Sequence, residues 1–84
     1  MKVIAFYDNE MEDCDGFTNK VIGISADYPE VECMLLETKS NPELVNRYSV
    51  KKLPTIIVED KAILKRRFEE DVSVTEIVKH FTQK

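Results

Sequence analysis

Short apolar runs alternate with helical segments along this chain, and that alternation is the strongest constraint on its fold. Residues 2–7 read KVIAFY, a run rich in β-branched and aromatic side chains that predicts a buried strand. Over residues 13–28 the apolar side chains recur at offsets of four, three and four, which predicts one helical face: Phe17, Val21, Ile24 and Tyr28. Pro29 ends this helix, because the residue before a proline is pushed out of the helical region.

The middle of the chain repeats the same alternation. Residues 31–37 have a nearly continuous apolar centre, which predicts a second strand covered on both faces. Asn41 and Pro42 mark a helix start, with Asn41 as the cap and Pro42 at the first helical position. Residues 55–58 read TIIV and predict a third strand.

The last third predicts a hairpin and a closing helix. A tight turn at residues 59–61 leads into a fourth strand at residues 62–68, whose cluster Lys65, Arg66 and Arg67 indicates an exposed sheet edge. Ser73 and Glu76 have the spacing of a capping box, which starts a helix. We expect His80 to be a solvated side chain near the end of that helix rather than a metal ligand.

The resulting order, β-α-β-α-β-β-α, predicts an α/β fold with a four-stranded mixed sheet and helices on both faces. Because helices join the first three strands, we expect right-handed crossovers and parallel pairing among them, followed by an antiparallel hairpin. A chain of 84 residues fits a single domain over residues 1–84.

Composition limits the partners and the compartment. The net charge of −4 argues against nucleic acid, since a phosphate-binding surface needs a basic footprint. No apolar run approaches the roughly 20 residues of a membrane span, and residues 3–7 are too short for a signal-peptide core. We therefore expect a cytoplasmic protein that contacts neither nucleic acid nor membrane.

The chain has two cysteines, Cys14 and Cys33, which are too few for a disulfide scaffold. Cys14 follows the first strand and Cys33 begins the second, so they fall at opposite ends of the sheet. A strand spans roughly 17–20 Å, whereas a disulfide needs Cα atoms within about 7 Å. We therefore expect no disulfide between the two cysteines, and we expect Cys33 to be a small residue of the hydrophobic core. The acidic run over residues 8–15 lacks the glycine and bidentate glutamate of an EF-hand loop, so no metal site is predicted.

Residues 41–55, NPELVNRYSVKKLPT, resemble the thioredoxin and glutaredoxin superfamily from its Asn-Pro helix start to its cis-proline loop. The element order is also the minimal thioredoxin arrangement, so the resemblance covers essentially the whole chain. It implies a thioredoxin fold, a cis bond before Pro54, and a Leu53 backbone that pairs with an extended peptide. The implied partner is a protein or peptide bound at Leu53, Pro54 and Thr55; the oligomeric state is left open.

The family's chemistry uses Cys-x-x-Cys, in which the first thiol attacks and the second resolves the mixed disulfide. An alignment without gaps places Met11-Glu12-Asp13-Cys14 on this motif, with Met11 at the position of the attacking cysteine. A methionine forms no disulfide, so dithiol reductase activity is not expected. The protein would then act through Cys14 mixed disulfides or by binding at the cis-proline edge.

A second alignment matches Cys14-Asp15-Gly16-Phe17-Thr18 to the Cys-Gly-Phe-Ser motif of monothiol glutaredoxins, with Cys14 as nucleophile and Phe17 at the second cysteine's place. Glutathione enters as a cofactor only in this alternative, and the Gly-Gly-acidic pattern of a glutathione site is missing after the fourth strand. The carboxylates around Cys14 predict a pKa near or above the ordinary value of about 8.5. A purely non-catalytic interaction module is the remaining alternative.

Overall fold

The computed structural model describes residues 1–82, and its elements follow the predicted order. They are β1 (Lys2–Tyr7), α1 (Cys14–Asp27), β2 (Glu32–Glu37), α2 (Pro42–Arg47), β3 (Thr55–Asp60), β4 (Ile63–Phe68) and α3 (Val74–Thr82), with a 3₁₀ turn at Thr38–Ser40 before α2. The predicted α/β fold with a mixed four-stranded sheet is confirmed. Within residues 1–82, no helix is both long enough and apolar enough to cross a membrane.

The strands lie in the order β2-β1-β3-β4, and β3 corrects the predicted strand directions. β1 is parallel to β2 but antiparallel to β3, with Phe6 opposite Thr55. The expectation that all three strands run parallel is therefore wrong. The six residues of α2 span roughly 9 Å, whereas a six-residue strand spans roughly 20 Å. This connection is too short to carry the chain back along the sheet, so β3 begins at the same end of the sheet at which β2 ends.

Helices cover both faces of the sheet, as predicted. Side chains alternate along each strand, so one face of β1 and β3 packs against α1 and α3 while the other packs against α2. Phe17 from α1 and Ile77 from α3 are buried on the first face. On the second face Phe6 is fully buried beside the partly buried Tyr48. Burying one such large apolar side chain contributes roughly 1.5–3 kcal/mol.

The hairpin differs from its predicted limits. β3 continues through Asp60, and the turn falls on Lys61 and Ala62, which both have positive φ (53° and 67°). β4 is an edge strand, as its basic cluster indicates, and it contains a bulge: Val58 and Glu59 pair with Arg66 and Leu64, respectively. One extra residue of β4, Lys65, is thus left between two neighbouring pairs.

Two helix-end predictions and the prediction for His80 have mixed outcomes. The Ser73 Oγ accepts a hydrogen bond from the Glu76 N–H at 3.3 Å, as a capping box requires. Asn41 occupies the cap position of α2 but its Nδ2 donates to the Glu37 carbonyl oxygen instead, so its side chain is not the cap. His80 is not solvated: its ring packs 5.7 Å from that of Phe68, and burial lowers its pKa.

Candidate functional site

The predicted site residues lie at one end of the sheet, where strands begin or end. β1 and β2 both end there, since Tyr7 lies opposite Glu37, and β3 begins there, since Thr55 lies opposite Phe6. The loop from β1 to Cys14 starts at this end of the sheet, and the Leu53–Pro54 segment leads into β3 at the same end. The topology therefore places the candidate thiol and the candidate peptide-binding segment at the same end of the sheet.

Cys14 is the first residue of α1. Asp13 precedes it in the left-handed conformation (φ 53°, ψ 40°), and the Asp13 carbonyl oxygen accepts the Phe17 N–H at 3.0 Å. Phe17, one turn further along, is buried in the core. Met11 lies before the helix, where its N–H donates to the Asp8 carbonyl oxygen. Cys14 thus stands at the helix start, whereas the alignment without gaps would place it one turn deeper.

The surroundings of Cys14 keep its thiol protonated at neutral pH. Partial burial raises the pKa of the thiol, and nearby carboxylates raise it further; these belong to Asp15, Asp8, Asp13 and Glu37. The start of a helix favours an anion, but four carboxylates outweigh it here. The cation in this region, Lys39, lies 3.3 Å from a carboxylate oxygen of Glu10, and that contact raises the pKa of Lys39.

Gly16 allows the Asp13 carboxylate to lie over the first turn of α1. A Cβ added at Gly16 would lie 2.7 Å from Asp13 Cγ, too close for any real contact. The glycine leaves room for this close approach, and a larger residue would require the exposed Asp13 side chain to move. It lets a carboxylate pack directly beside the residue that begins the helix, Cys14.

The Leu53–Pro54 peptide bond is cis. Leu53 is 37% exposed, and within the described residues neither its N–H nor its carbonyl oxygen forms a hydrogen bond. Thr55 is fully buried, and its Oγ1 donates to the Lys52 carbonyl oxygen at 2.6 Å. Of the three predicted binding residues, Leu53 offers free backbone groups, Pro54 is half-buried, and the Thr55 side chain fixes the loop from inside.

Arg67 supports this loop and was missed by the sequence analysis. Its guanidinium donates to the carbonyl oxygens of Tyr48 and Ser49, just beyond α2, and its Nε lies 3.4 Å from a Glu69 carboxylate oxygen. From the sequence, Arg67 was interpreted only as one of three basic residues on an exposed edge strand. Its partners lie 18 and 19 residues away, and no local pattern indicates such a contact.

Cys33 is separated from Cys14 and both thiols are free, which confirms the expected absence of a bridge. Cys33 lies opposite Val3, near the start of β1, whereas Cys14 follows the end of β1. Cys33 is half-buried rather than enclosed in the core, because β2 is an edge strand. It borders an apolar groove of about 450 Å³ with Val21 and Leu35, and burial raises its pKa. Among residues 1–82, no group of three or more His, Cys, Asp or Glu side chains could hold a metal ion.

Comparison with known proteins finds similarity in structure alone. No family model matches the sequence, and no curated protein matches it significantly. Thioredoxin 1 of Thermosipho africanus superposes with a TM-score of 0.84 at 22% identity, over 95% of this chain and 89% of that one. Thioredoxin-2 of the malaria parasite gives 0.89 at 20% identity, over 99% and 82%. The thioredoxin of Fasciola hepatica gives 0.85 at 23% identity, over 99% and 80%. These likenesses, together with the order and pairing of its strands, show that this chain adopts the thioredoxin fold.

Proposed function

We propose that this thioredoxin-fold protein binds an extended segment of a partner protein at Leu53 and does not catalyse dithiol–disulfide exchange. The observation that carries the proposal is the exposed Leu53, whose N–H and carbonyl oxygen are unpaired within the described residues beside the cis bond to Pro54. Such a segment accepts a partner strand through main-chain hydrogen bonds.

Dithiol exchange needs two thiols close together. The first thiolate attacks a substrate disulfide, forming a mixed disulfide and releasing one substrate thiolate; the second thiol attacks that mixed disulfide and releases the other. Cys33 is the second residue of β2, which runs toward the Cys14 end of the sheet, so the four steps from Cys33 to Glu37, roughly 13 Å, separate it from that end. Met11, whose thioether forms no disulfide, supplies no second thiol.

Peptide binding is consistent with how the loop is held. The Thr55 hydroxyl ties the residue after Pro54 to the Lys52 carbonyl oxygen before Leu53, and the Arg67 guanidinium holds the carbonyl oxygens of Tyr48 and Ser49 earlier in the chain. A partner segment would therefore meet a loop that is already ordered, and binding would require little further loss of conformational entropy. The exposed Leu53 side chain adds an apolar contact.

The second candidate is single-thiol exchange, in which Cys14 forms mixed disulfides with glutathione or with a partner. The position of Cys14 as the first residue of α1, with the buried Phe17 one turn deeper, supports this alternative. The raised pKa of Cys14 opposes it, because the thiolate is the reacting species. We therefore place this chemistry second, as a slow reaction.

Selection of peptides from a random phage-displayed library tests the proposal. We expect selected peptides to shift the backbone amide NMR signals around Leu53 and to bind a Cys14→Ser variant with unchanged affinity. We expect Leu53→Asp to weaken binding by about tenfold or more, since it removes the apolar contact. Failure to select any peptide, or selected peptides that need the Cys14 thiol, would contradict binding as the primary role.

A further inference from the structure

We propose that the outer edge of the β3–β4 hairpin is a second docking surface, and that its occupant is a short extended protein segment of alternating acidic and aliphatic residues. This hairpin edge consists of Lys61, Ile63, Leu64, Lys65 and Arg66. It lies on the free side of an edge strand, where a partner strand can approach.

The aliphatic residues of the hairpin edge are unusually exposed. Ile63 is 65% exposed and Leu64 is 57% exposed, more than any other large apolar side chain of the described residues. They are neighbours in sequence at the end of a strand rather than scattered over the surface. Together they leave apolar surface exposed to water on both faces of the sheet, at the start of one edge strand.

The two aliphatic side chains lie on opposite faces of the sheet, which limits the kind of partner. Leu64 pairs with Glu59 and lines a cavity with Ile57 and Arg67, so it lies on the α2 face. Ile63, one residue earlier in the strand, lies on the other face. A flat surface such as a membrane cannot bury both at once. A strand beside β4 can, because its own side chains alternate between the two faces.

The charge of the hairpin edge favours an acidic partner. No acidic residue occurs between Lys61 and Phe68, in a protein whose net charge is −4. Within the described residues neither Lys61 nor Lys65 forms an ion pair, and the Arg66 guanidinium lies 5.0 Å from the centre of the Phe68 ring. Lys61 and Lys65 stay available to a ligand, whereas the charge of Arg66 is partly offset by Glu76. The three cations would repel the same strand of a second copy.

The bulge sets the length of the paired segment. Lys65 is the extra residue of β4, so the outer row of backbone groups is interrupted there. A long regular ladder cannot form across this interruption, and the contact is limited to a few residues on either side. Recognition then depends on side chains: acidic groups beside Lys65 and Arg66, and aliphatic groups beside Ile63 and Leu64.

The hairpin edge is separate from the Leu53 loop. The turn at Lys61 and Ala62 follows the end of β3, whereas Pro54 precedes its start. The six residues of β3 span roughly 20 Å. A ligand of the hairpin edge therefore shifts a different set of amide signals from a ligand at Leu53.

A synthetic eight-residue peptide of alternating glutamate and valine is the probe. We expect it to shift the amide signals of residues 61–67 in NMR titrations and to bind more weakly as salt rises. The double variant Lys65→Glu/Arg66→Glu should bind it about tenfold more weakly or worse. Lys39→Glu/Lys51→Glu changes the net charge equally at the other end of the sheet and should bind as the parent does. Ile63→Thr/Leu64→Thr, which keeps strand propensity, should also lose affinity.

Three outcomes would overturn the proposal. The first is amide shifts confined to residues outside 61–67. The second is equal binding of a lysine–valine peptide, or equal losses in both charge-reversed variants. The third is binding of phosphatidylserine vesicles through the same lysines without binding of the peptide, which would make the surface a membrane contact.

Discussion

The carboxylate of Asp13 packs against the α-carbon of Gly16, where a Cβ would lie 2.7 Å from Asp13 Cγ. The other glycine of α1, Gly23, has open space at the same position. The two glycines therefore form a matched pair on one helix.

We expect Gly23→Ala to raise the free energy of unfolding by about 1 kcal/mol, the difference in helix propensity between the two residues. Gly16→Ala should gain less, because the new methyl group must displace the Asp13 carboxylate. Urea denaturation measures both. In an Asp13→Gly background, where the carboxylate is absent and the positive φ is tolerated, Gly16→Ala should regain the full increase. Equal gains at the two positions in the parent would contradict the contact.

The raised pKa of Cys14 predicts slow reaction with electrophiles at neutral pH. In a Cys33→Ala background, alkylation by iodoacetamide at pH 7.5 should be slower in the folded protein than in urea. The rate should rise with pH through an inflection above that of the unfolded chain. Asp15→Asn removes one neighbouring carboxylate and should speed the reaction about two- to threefold, the size expected for exposed charges.

Asp27→Asn, at the far end of α1, is the control and should leave the rate unchanged. The pKa shift also fixes the sign of a stability effect. The stability contributed by the protonated thiol is fully present below the pKa of the unfolded chain and is lost as pH rises through the folded value. A rate inflection below that of the unfolded chain would refute the electrostatic description of this site.

Two single substitutions decide which residue, Met11 or Phe17, takes the place of the missing cysteine. Met11→Cys and Phe17→Cys each create Cys-x-x-Cys with Cys14. Because α1 begins at Cys14, residue 17 lies one turn along the same helix face, whereas residue 11 lies before the left-handed Asp13. We expect Phe17→Cys to form a disulfide on oxidation and to gain insulin-reducing activity, and Met11→Cys to gain neither.

Both variants are made in the Cys33→Ala background so that no other thiol interferes. Phe17 is buried, and its loss should lower the free energy of unfolding by about 3–5 kcal/mol, so circular dichroism must show that the fold persists. Activity in Met11→Cys and none in a folded Phe17→Cys would instead favour the alignment without gaps.

We expect the neighbouring residues Arg66 and Arg67 of β4 to contribute unequally to the free energy of unfolding. Arg67→Ala removes both hydrogen bonds to the carbonyl oxygens of Tyr48 and Ser49 and should lower the free energy of unfolding by about 1–2 kcal/mol. Arg66→Ala removes a cation–ring contact with Phe68 and an exposed charge near Glu76, and should cost about 0.5–1 kcal/mol. Chemical denaturation of the two variants measures the difference, and a larger loss at Arg66 would show that the guanidinium of Arg67 is not a structural link.

The sequence predicted the order of the elements because each strand and helix has a local signal: apolar periodicity, a proline, or a capping residue. The direction of β3 had no such signal, since it depends on how far α2 carries the chain. Asn41 and Pro42 indicated the start of a helix without showing that it ends at Arg47.

The site was predicted in part for similar reasons. The motif around Leu53 and Pro54 is continuous in sequence, so its position was visible. The start of α1 at Cys14 depends on the left-handed backbone of Asp13; aspartate is among the few non-glycine residues that adopt this conformation, but its presence alone does not predict it. The contacts of Arg67 and the packing of His80 depend on residues distant in the chain.

The two faces of the sheet differ in the size of the apolar cluster that covers them. Among the described residues, ten buried apolar side chains lie on the α1 and α3 side and three on the α2 side. Regions with fewer buried contacts open at lower free energy, so amide hydrogens of α2 should exchange with solvent before those of α1. Thr55 and Arg67 order the Leu53 loop in the closed protein, but the loop joins α2 to β3 and therefore opens together with α2. A ligand bound to this loop would stabilise the closed state of the α2 side. Its binding should therefore slow amide hydrogen exchange in α2, although the ligand does not contact that helix.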